Sequence, residues 1–170
     1  RMSFENLCRS ARAEYPGRRV VSVFGSVGSK AQDRRQDLGE IGGQYSDLVV
    51  VTEDDSEGED TLDICREIAS FVEKQGCPCT IEPNRGEAIR QAVLGSRKPT
   101  ILLIAGKGDE TYQKRGNEYV ETPTDAEYVQ SFLREYDMIH GLDGTEKVRG
   151  LLAALPVLRQ YAGRTVEVRC

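Results

Sequence analysis

The chain has 170 residues, 38% of them hydrophobic and 30% charged, which suits one compact domain around a single core. A net charge of −5 gives no basic face, so nucleic acid is not an expected partner. No stretch approaches the roughly 20 apolar residues that cross a bilayer, so no membrane span is expected either.

Residues 1–14 are polar and charged rather than a signal peptide, and Arg1 ahead of Met2 reads as a cut edge with sequence expected upstream. Five cysteines, an odd number, point to reduced thiols and a cytoplasmic protein. Cys77 and Cys79 flank Pro78, but no second cysteine pair or histidine cluster completes a metal site. They read as the lead-in to a buried strand.

In chain order, a helix is expected over 3–13 and a β-rich strand over 19–24, ending at Gly25. A helix follows over 32–45 despite three glycines, then a short apolar strand over 48–52. The clearest helix covers 60–74, capped by Asp60, with Leu62, Ile64, Ile68, Ala69 and Val72 as its apolar stripe. A strand over 80–82, a helix over 87–94 and a fully apolar strand over 100–105 come next. Residues 112–121 form a hairpin turning on Arg115, Gly116 and Asn117, and 125–136 form the last core helix. Beyond Asp137 the pattern gives a turn over 141–144, a helix over 146–155 stopped by Pro156, and an edge strand over 165–168.

Strands alternating with helices imply an α/β, Rossmann-like fold: a mostly parallel sheet flanked by helices, with a hairpin or antiparallel edge strand. Residues 1–137 make the domain, and 138–170 an extension packed on it. Ligands of such sheets bind outside the carboxyl ends of the strands, which places loops 26–33, 53–59 and 106–113 at the site.

Each loop has two readings. The run Gly25-Ser26-Val27-Gly28-Ser29-Lys30 lacks the P-loop and dinucleotide spacings, and both a structural turn and an anion-holding loop fit it. Around Gly106 and Gly108 the backbone is free to approach a ligand, or simply to turn at the surface. Between Thr52 and Asp60 lie six carboxylates in nine positions: a solvated acidic loop, or a pocket for an ammonium group or divalent cation. The single histidine, His140, supports no catalytic triad and reads as a surface residue.

Taken together in this order, the loops resemble the C-terminal domain of the Mur ligases, and most of all the UDP-N-acetylmuramoyl-tripeptide synthetases (MurE type). The resemblance rests on Val23-Phe24-Gly25 with Arg35 downstream, Val50 to Asp55, Glu82 to Ala88 with Arg85, and Leu103 to Gln113. It implies a ligase of peptidoglycan precursor synthesis. Separate domains hold the UDP-sugar peptide and ATP with Mg2+, and the C-terminal one recruits the amino acid. An acyl phosphate on the peptide carboxylate is attacked by the incoming amine. This chain lacks the central P-loop, so no catalytic residue and no intrinsic cofactor are expected in it.

The resemblance implies substrate contacts at Arg35, which would hold a carboxylate of the amino acid, and at Asp54, Gly106 and Glu110. Lys30 and Lys107 would neutralise nucleotide phosphate. Members adding meso-diaminopimelate carry Asp-Asn-Pro-Arg where this chain has Asp54-Asp55-Ser56-Glu57. Asp55 and Glu57 would repel a distal carboxylate and favour an amine-tipped side chain. The expected amino acid is therefore L-lysine, with L-ornithine second, added to UDP-MurNAc-L-Ala-D-Glu. The family's Gly-Asp-Arg-Asp loop reads Gly28-Ser29-Lys30-Ala31 here, and its Asp-Arg pair reads Asp125-Ala126. The alternatives are a stand-alone amino-acid-binding module, or a related ligase such as one adding glutamate to folates.

Overall fold

The computed structural model describes residues 4–29, 32–140 and 151–152. Five parallel strands form the sheet in the order β3-β2-β1-β4-β7, from β1 (Arg19–Phe24), β2 (Leu48–Val51), β3 (Cys79–Ile81), β4 (Thr100–Ile104) and β7 (Leu151–Leu152). The antiparallel hairpin of β5 (Tyr112–Arg115) and β6 (Glu118–Glu121) stands apart as a second sheet.

Alternate residues of the central strands go to opposite faces, both of them covered, which is why these strands are mostly apolar, with Ser22 and Thr100 as buried exceptions. Val21, Val23, Val50, Leu102 and Ile104 pack against α4 (Arg85–Leu94) and α5 (Asp125–Ile139). On the other face, Phe24, Val49 and Val51 pack against α2 (Gln32–Tyr45) and α3 (Thr61–Lys74). Val20, Ile101 and Leu103 meet α1 (Phe4–Glu14) there. The result is a three-layer α/β domain, as the alternation of elements predicts.

The glycines of α2 have a packing reason. A Cβ on Gly39 would lie 2.6 Å from Phe71 Cβ, and one on Gly42 would lie 2.6 Å from the Phe24 ring. Only bare backbone lets α2 sit this close to α3 and β1, and that close fit offsets the poor helix propensity of glycine.

The chain runs outward from β1 through β2 to β3, then returns by α4 to β4 on the other side of β1. The order therefore reverses between β1 and β4. In open α/β sheets the crevice at the carboxyl ends of such strands is the binding position.

Three expectations change. Among the described residues the strand after Cys77 lies at the sheet edge and pairs only with β2, so Cys79 and Ile81 are half-buried and Thr80 exposed, whereas Cys77 itself is buried. The helix after Pro83 begins at Arg85, because Asn84 caps it by accepting from Glu87 N. The helix expected over 146–155 is replaced at Leu151 and Leu152 by a parallel pairing with Ile101 and Leu102. A short apolar run suits either state, and the open backbone of β4 favours the strand. The rest of that helix, the turn over 141–144 and the strand over 165–168 lie outside the described residues. His140 is exposed, caps α5 and stacks on Tyr136 at 4.0 Å. Among the described residues no helix is long and apolar enough to cross a membrane.

Candidate functional site

The three loops meet at the reversal point. Gly25 and Gly28 press their backbones on the acidic loop: a Cβ would lie 2.2 Å from Thr52 O at Gly25 and 1.9 Å from Ser56 O at Gly28. Gly28 N donates to Asp55 O at 2.8 Å, and Ser29 N donates to the Glu59 carboxylate. These two amides of the turn thus serve the neighbouring loop. Lys30 lies outside the described residues.

Arg35 is brought to the same loop from the buried side of α2, with 2% of its surface exposed. Its guanidinium donates to Glu67 at 2.7 Å and Glu59 at 2.8 Å. Burial works against its charge, but the hydrogen bonds to Glu67 and Glu59 outweigh it and raise the pKa above its ordinary value. Nε is buried without a partner among the described residues. Both arms are therefore engaged inside the domain, where the resemblance had led us to expect a substrate carboxylate.

Lys107 is also buried, at 5% exposed. Its ammonium reaches Asp55 Oδ1 at 2.9 Å and Glu110 Oε2, and lies 4.5 Å from the centre of the Tyr112 ring. Desolvation lowers its pKa, yet the bonds to Glu110 and Asp55 bring it above the ordinary lysine value. Asp55 also accepts from Gln113 Nε2 and Lys114 N. At the far end of the loop Glu57 has a positive φ of 46° and lies 3.6 Å from Lys114 Nζ.

Asp54 differs from its neighbours. Its Oδ1 accepts from Asp55 N at 2.8 Å, and among the described residues it has no ion pair. Burial raises its pKa, outweighing the lowering by that N–H and by the nearby Arg85 charge. Gly106, exposed and with φ +123°, covers this carboxylate: a Cβ there would be 2.9 Å from Asp54 Oδ2. Asp54 and Gly106 thus come together, and the half-buried Glu110 is joined to Asp55 through Lys107.

Residue types alone assigned no role to the groups behind this surface. Arg85 forks onto Asp125, with both contacts at 2.7 Å. Glu53 accepts from Arg115 at 2.7 and 2.9 Å. A signal was present in the sequence: Arg85 shares a helical stripe with Ala88, Ile89 and Ala92, and Asp125 shares one with Val129 and Tyr136. A charge at such a position requires a buried partner. No cluster of three or more metal-ligating side chains occurs among the described residues.

Strand order, reversal point and converging loops define a Rossmann-type ligand-binding domain. The profile of the Mur ligase, glutamate ligase domain matches residues 2–108, and the chain belongs to that family. It is 35% identical over 126 residues to a UDP-N-acetylmuramoyl-L-alanyl-D-glutamate–2,6-diaminopimelate ligase of Caldanaerobacter subterraneus, covering 74% of this chain and 26% of that protein. It is 38% identical over 113 residues to the corresponding L-lysine ligase of Enterococcus faecalis, covering 66% of this chain and 22% of that one. A solved structure of a 2,6-diaminopimelate ligase superposes with a TM-score of 0.69 at 22% identity, over 80% of this chain and 27% of that chain; this likeness concerns the fold. The chain spans about a quarter of the length of these relatives.

Proposed function

We propose that the chain is the amino-acid-recruiting domain of an ATP-dependent ligase of peptidoglycan precursor synthesis, adding a basic L-amino acid to UDP-MurNAc-L-Ala-D-Glu. L-Lysine is the preferred substrate, ahead of L-ornithine. The observation that carries this reading is the charge balance at the crevice. Among the described residues, Lys107 pairs with Asp55 and Glu110 and Lys114 with Glu57, while Asp54 has no ion pair and only the more distant charges of Arg85 and Lys107 near it. An ammonium-tipped side chain supplies what is missing, and the exposed backbone at Gly106 lets it approach Asp54. Glu110 and Asp55 line the same opening.

Arg35 enters this reading as a brace for the turn at Glu57 and Glu59. At its two Nη atoms a substrate carboxylate competes with Glu59 and Glu67. Lys107 bridges Asp55 and Glu110.

Two amides of the glycine turn serve the acidic loop, and Lys30 lies outside the described residues. On the family resemblance, activation of the peptide carboxylate as an acyl phosphate is assigned to other segments of a cytoplasmic enzyme of several domains.

One observation favours a second reading. Lys107 and Lys114 place cations beside the acidic loop, and Lys114 would receive the distal carboxylate of meso-diaminopimelate if Glu57 turned away. Amino-acid-dependent phosphate release by the full-length protein separates the two. The assay contains UDP-MurNAc-dipeptide, ATP, Mg2+ and one of L-lysine, L-ornithine, meso-diaminopimelate or L-glutamate. Turnover with lysine or ornithine, impaired by Glu57→Arg, supports the acidic pocket. Turnover with diaminopimelate replaces the substrate and keeps the ligase; a glutamate preference overturns the pocket.

A further inference from the structure

Arg85 is enclosed at the first turn of α4, and every arm of its guanidinium has a partner. Nε and Nη2 donate to the two oxygens of Asp125 at 2.7 Å, Nη1 to Glu53 O at 3.3 Å, and Nη2 to Ala105 O at 3.1 Å. Asp125 closes the circuit. Its Oδ2 accepts from Gly108 N at 2.8 Å, and its own N–H donates to Gly108 O at 3.0 Å.

These partners matter because of their neighbours in the chain. Glu53 O is one peptide from Asp54, Ala105 O is one peptide from Gly106, and Gly108 lies between Gly106 and Glu110. A Cβ on Gly106 would be 3.5 Å from both Nη atoms, so the guanidinium stands directly behind the covering glycine. The two loops are far apart in sequence and end different strands. A planar fork with several fixed donors is suited to setting the gap between them; an ammonium or an apolar side chain is not.

Stability does not explain the arrangement well. A buried ion pair is often replaced by apolar residues of similar volume without loss, since desolvation offsets the attraction. We infer that Arg85 and Asp125 are positioning residues for amino-acid selection: by holding Glu53 O, Ala105 O and Gly108 N they fix Asp54 against Gly106 and Glu110. This rests on the ligase reading above. Neither residue touches the substrate.

The test uses the full-length protein and the amino acid that the wild type turns over best. KM for that amino acid, KM for ATP and the melting temperature are measured for wild type, Arg85→Lys and the double variant Arg85→Met/Asp125→Leu. The double variant keeps the core filled but removes every side-chain tether, leaving only the residue 125 N–H on Gly108 O. Its expected behaviour is a near-normal melting temperature with the amino-acid KM raised about 10-fold or more, the usual cost of losing an outer-shell partner. KM for ATP should stay within about two-fold, because that binding is made elsewhere. Arg85→Lys retains the pair with Asp125 but cannot reach both carbonyls, so its amino-acid KM should fall between the other two. Variants that melt lower while keeping the wild-type amino-acid KM would make the pair merely structural and overturn the inference. A wild type that turns over no amino acid at all overturns the ligase reading, and this inference with it.

Discussion

Lys107 and Asp55, 52 positions apart, meet at 2.9 Å, and Glu110 closes on the same ammonium. The lysine is enclosed, Asp55 is half-buried and Glu110 is more open, so the two pairs differ in worth. Lys107→Met leaves both carboxylates facing each other without a cation. The expected cost is about 1–2 kcal/mol at neutral pH, most of it from the Asp55 side, since the Glu110 contact is screened by water. Urea denaturation of wild type and variant at neutral pH checks this; a variant as stable as the wild type would mean the two pairs contribute nothing net.

Arg35 tests which of its partners matters. With Glu59 and Glu67 on its two arms and 3% of its side chain exposed, its loss should act on the fold first. Arg35→Met is expected to cost about 2 kcal/mol, within the range for breaking a buried charge network. Once corrected for the folded fraction, the amino-acid KM should change by less than about 3-fold, whereas removing an arginine that gripped the substrate carboxylate directly would raise it far more. Thermal denaturation and steady-state kinetics on the same preparations separate the two roles.

The architecture was legible because the strands here state their burial in residue type. Ile101 to Ile104 are apolar on both alternating sets, and so are Val20 to Phe24 apart from Ser22, a pattern suited to a doubly covered sheet. Loop placement followed from the order of elements. The occupancy of the charges did not. Nothing in the local sequence tells that Arg35 turns to Glu67 on the facing helix, or that Lys107 folds back on Asp55 rather than outward; those pairings are set by the close approach of α2 to α3 and by the turn at Gly106 and Gly108. Arg85 and Asp125 were readable in principle as charges on apolar stripes, but their partnership with each other is tertiary.

Gly106 should tolerate no side chain. Its φ of +123° is a conformation L-residues avoid, and the added methyl would meet Asp54 Oδ2 at 2.9 Å. Gly106→Ala is expected to destabilise by about 1–3 kcal/mol through strain and to raise the amino-acid KM by displacing Asp54 or closing the opening. Melting temperature and KM should move together here, in contrast to the double variant at Arg85 and Asp125. An alanine variant with both values unchanged would remove Gly106 from the site.

The thiols carry a separate expectation. Burial pushes Cys8 and Cys65 up to about 12, and Cys79 equally so. Since the thiolate is the reactive form, these residues should resist iodoacetamide in the folded chain at about pH 8 and react once it is unfolded in urea. Peptide-level mass spectrometry reads each site. Rapid native labelling of Cys65 would mean that α3 opens far more readily than its packing implies.

Asp54 links pH to both stability and recognition. Burial raises its folded pKa above the ordinary aspartate value, with the Asp55 N–H and the Arg85 charge opposing. A raised carboxylate contributes stability that is fully present below the unfolded pKa and is lost as pH rises through the folded one. At neutral pH the ionised Asp54 is therefore a cost to the fold, which Asp54→Asn should relieve, leaving the variant at least as stable as wild type. Recognition runs the other way. An ammonium needs the ionised form, so the wild-type amino-acid KM should climb as pH falls into the raised range. Asp54→Asn should have a KM about 10-fold or more higher at neutral pH, the worth of one charge-assisted hydrogen bond, with little further pH dependence. Steady-state KM followed from neutral pH downward into the acid range decides it. A stable variant with the wild-type KM and pH profile would place the ammonium elsewhere in the crevice.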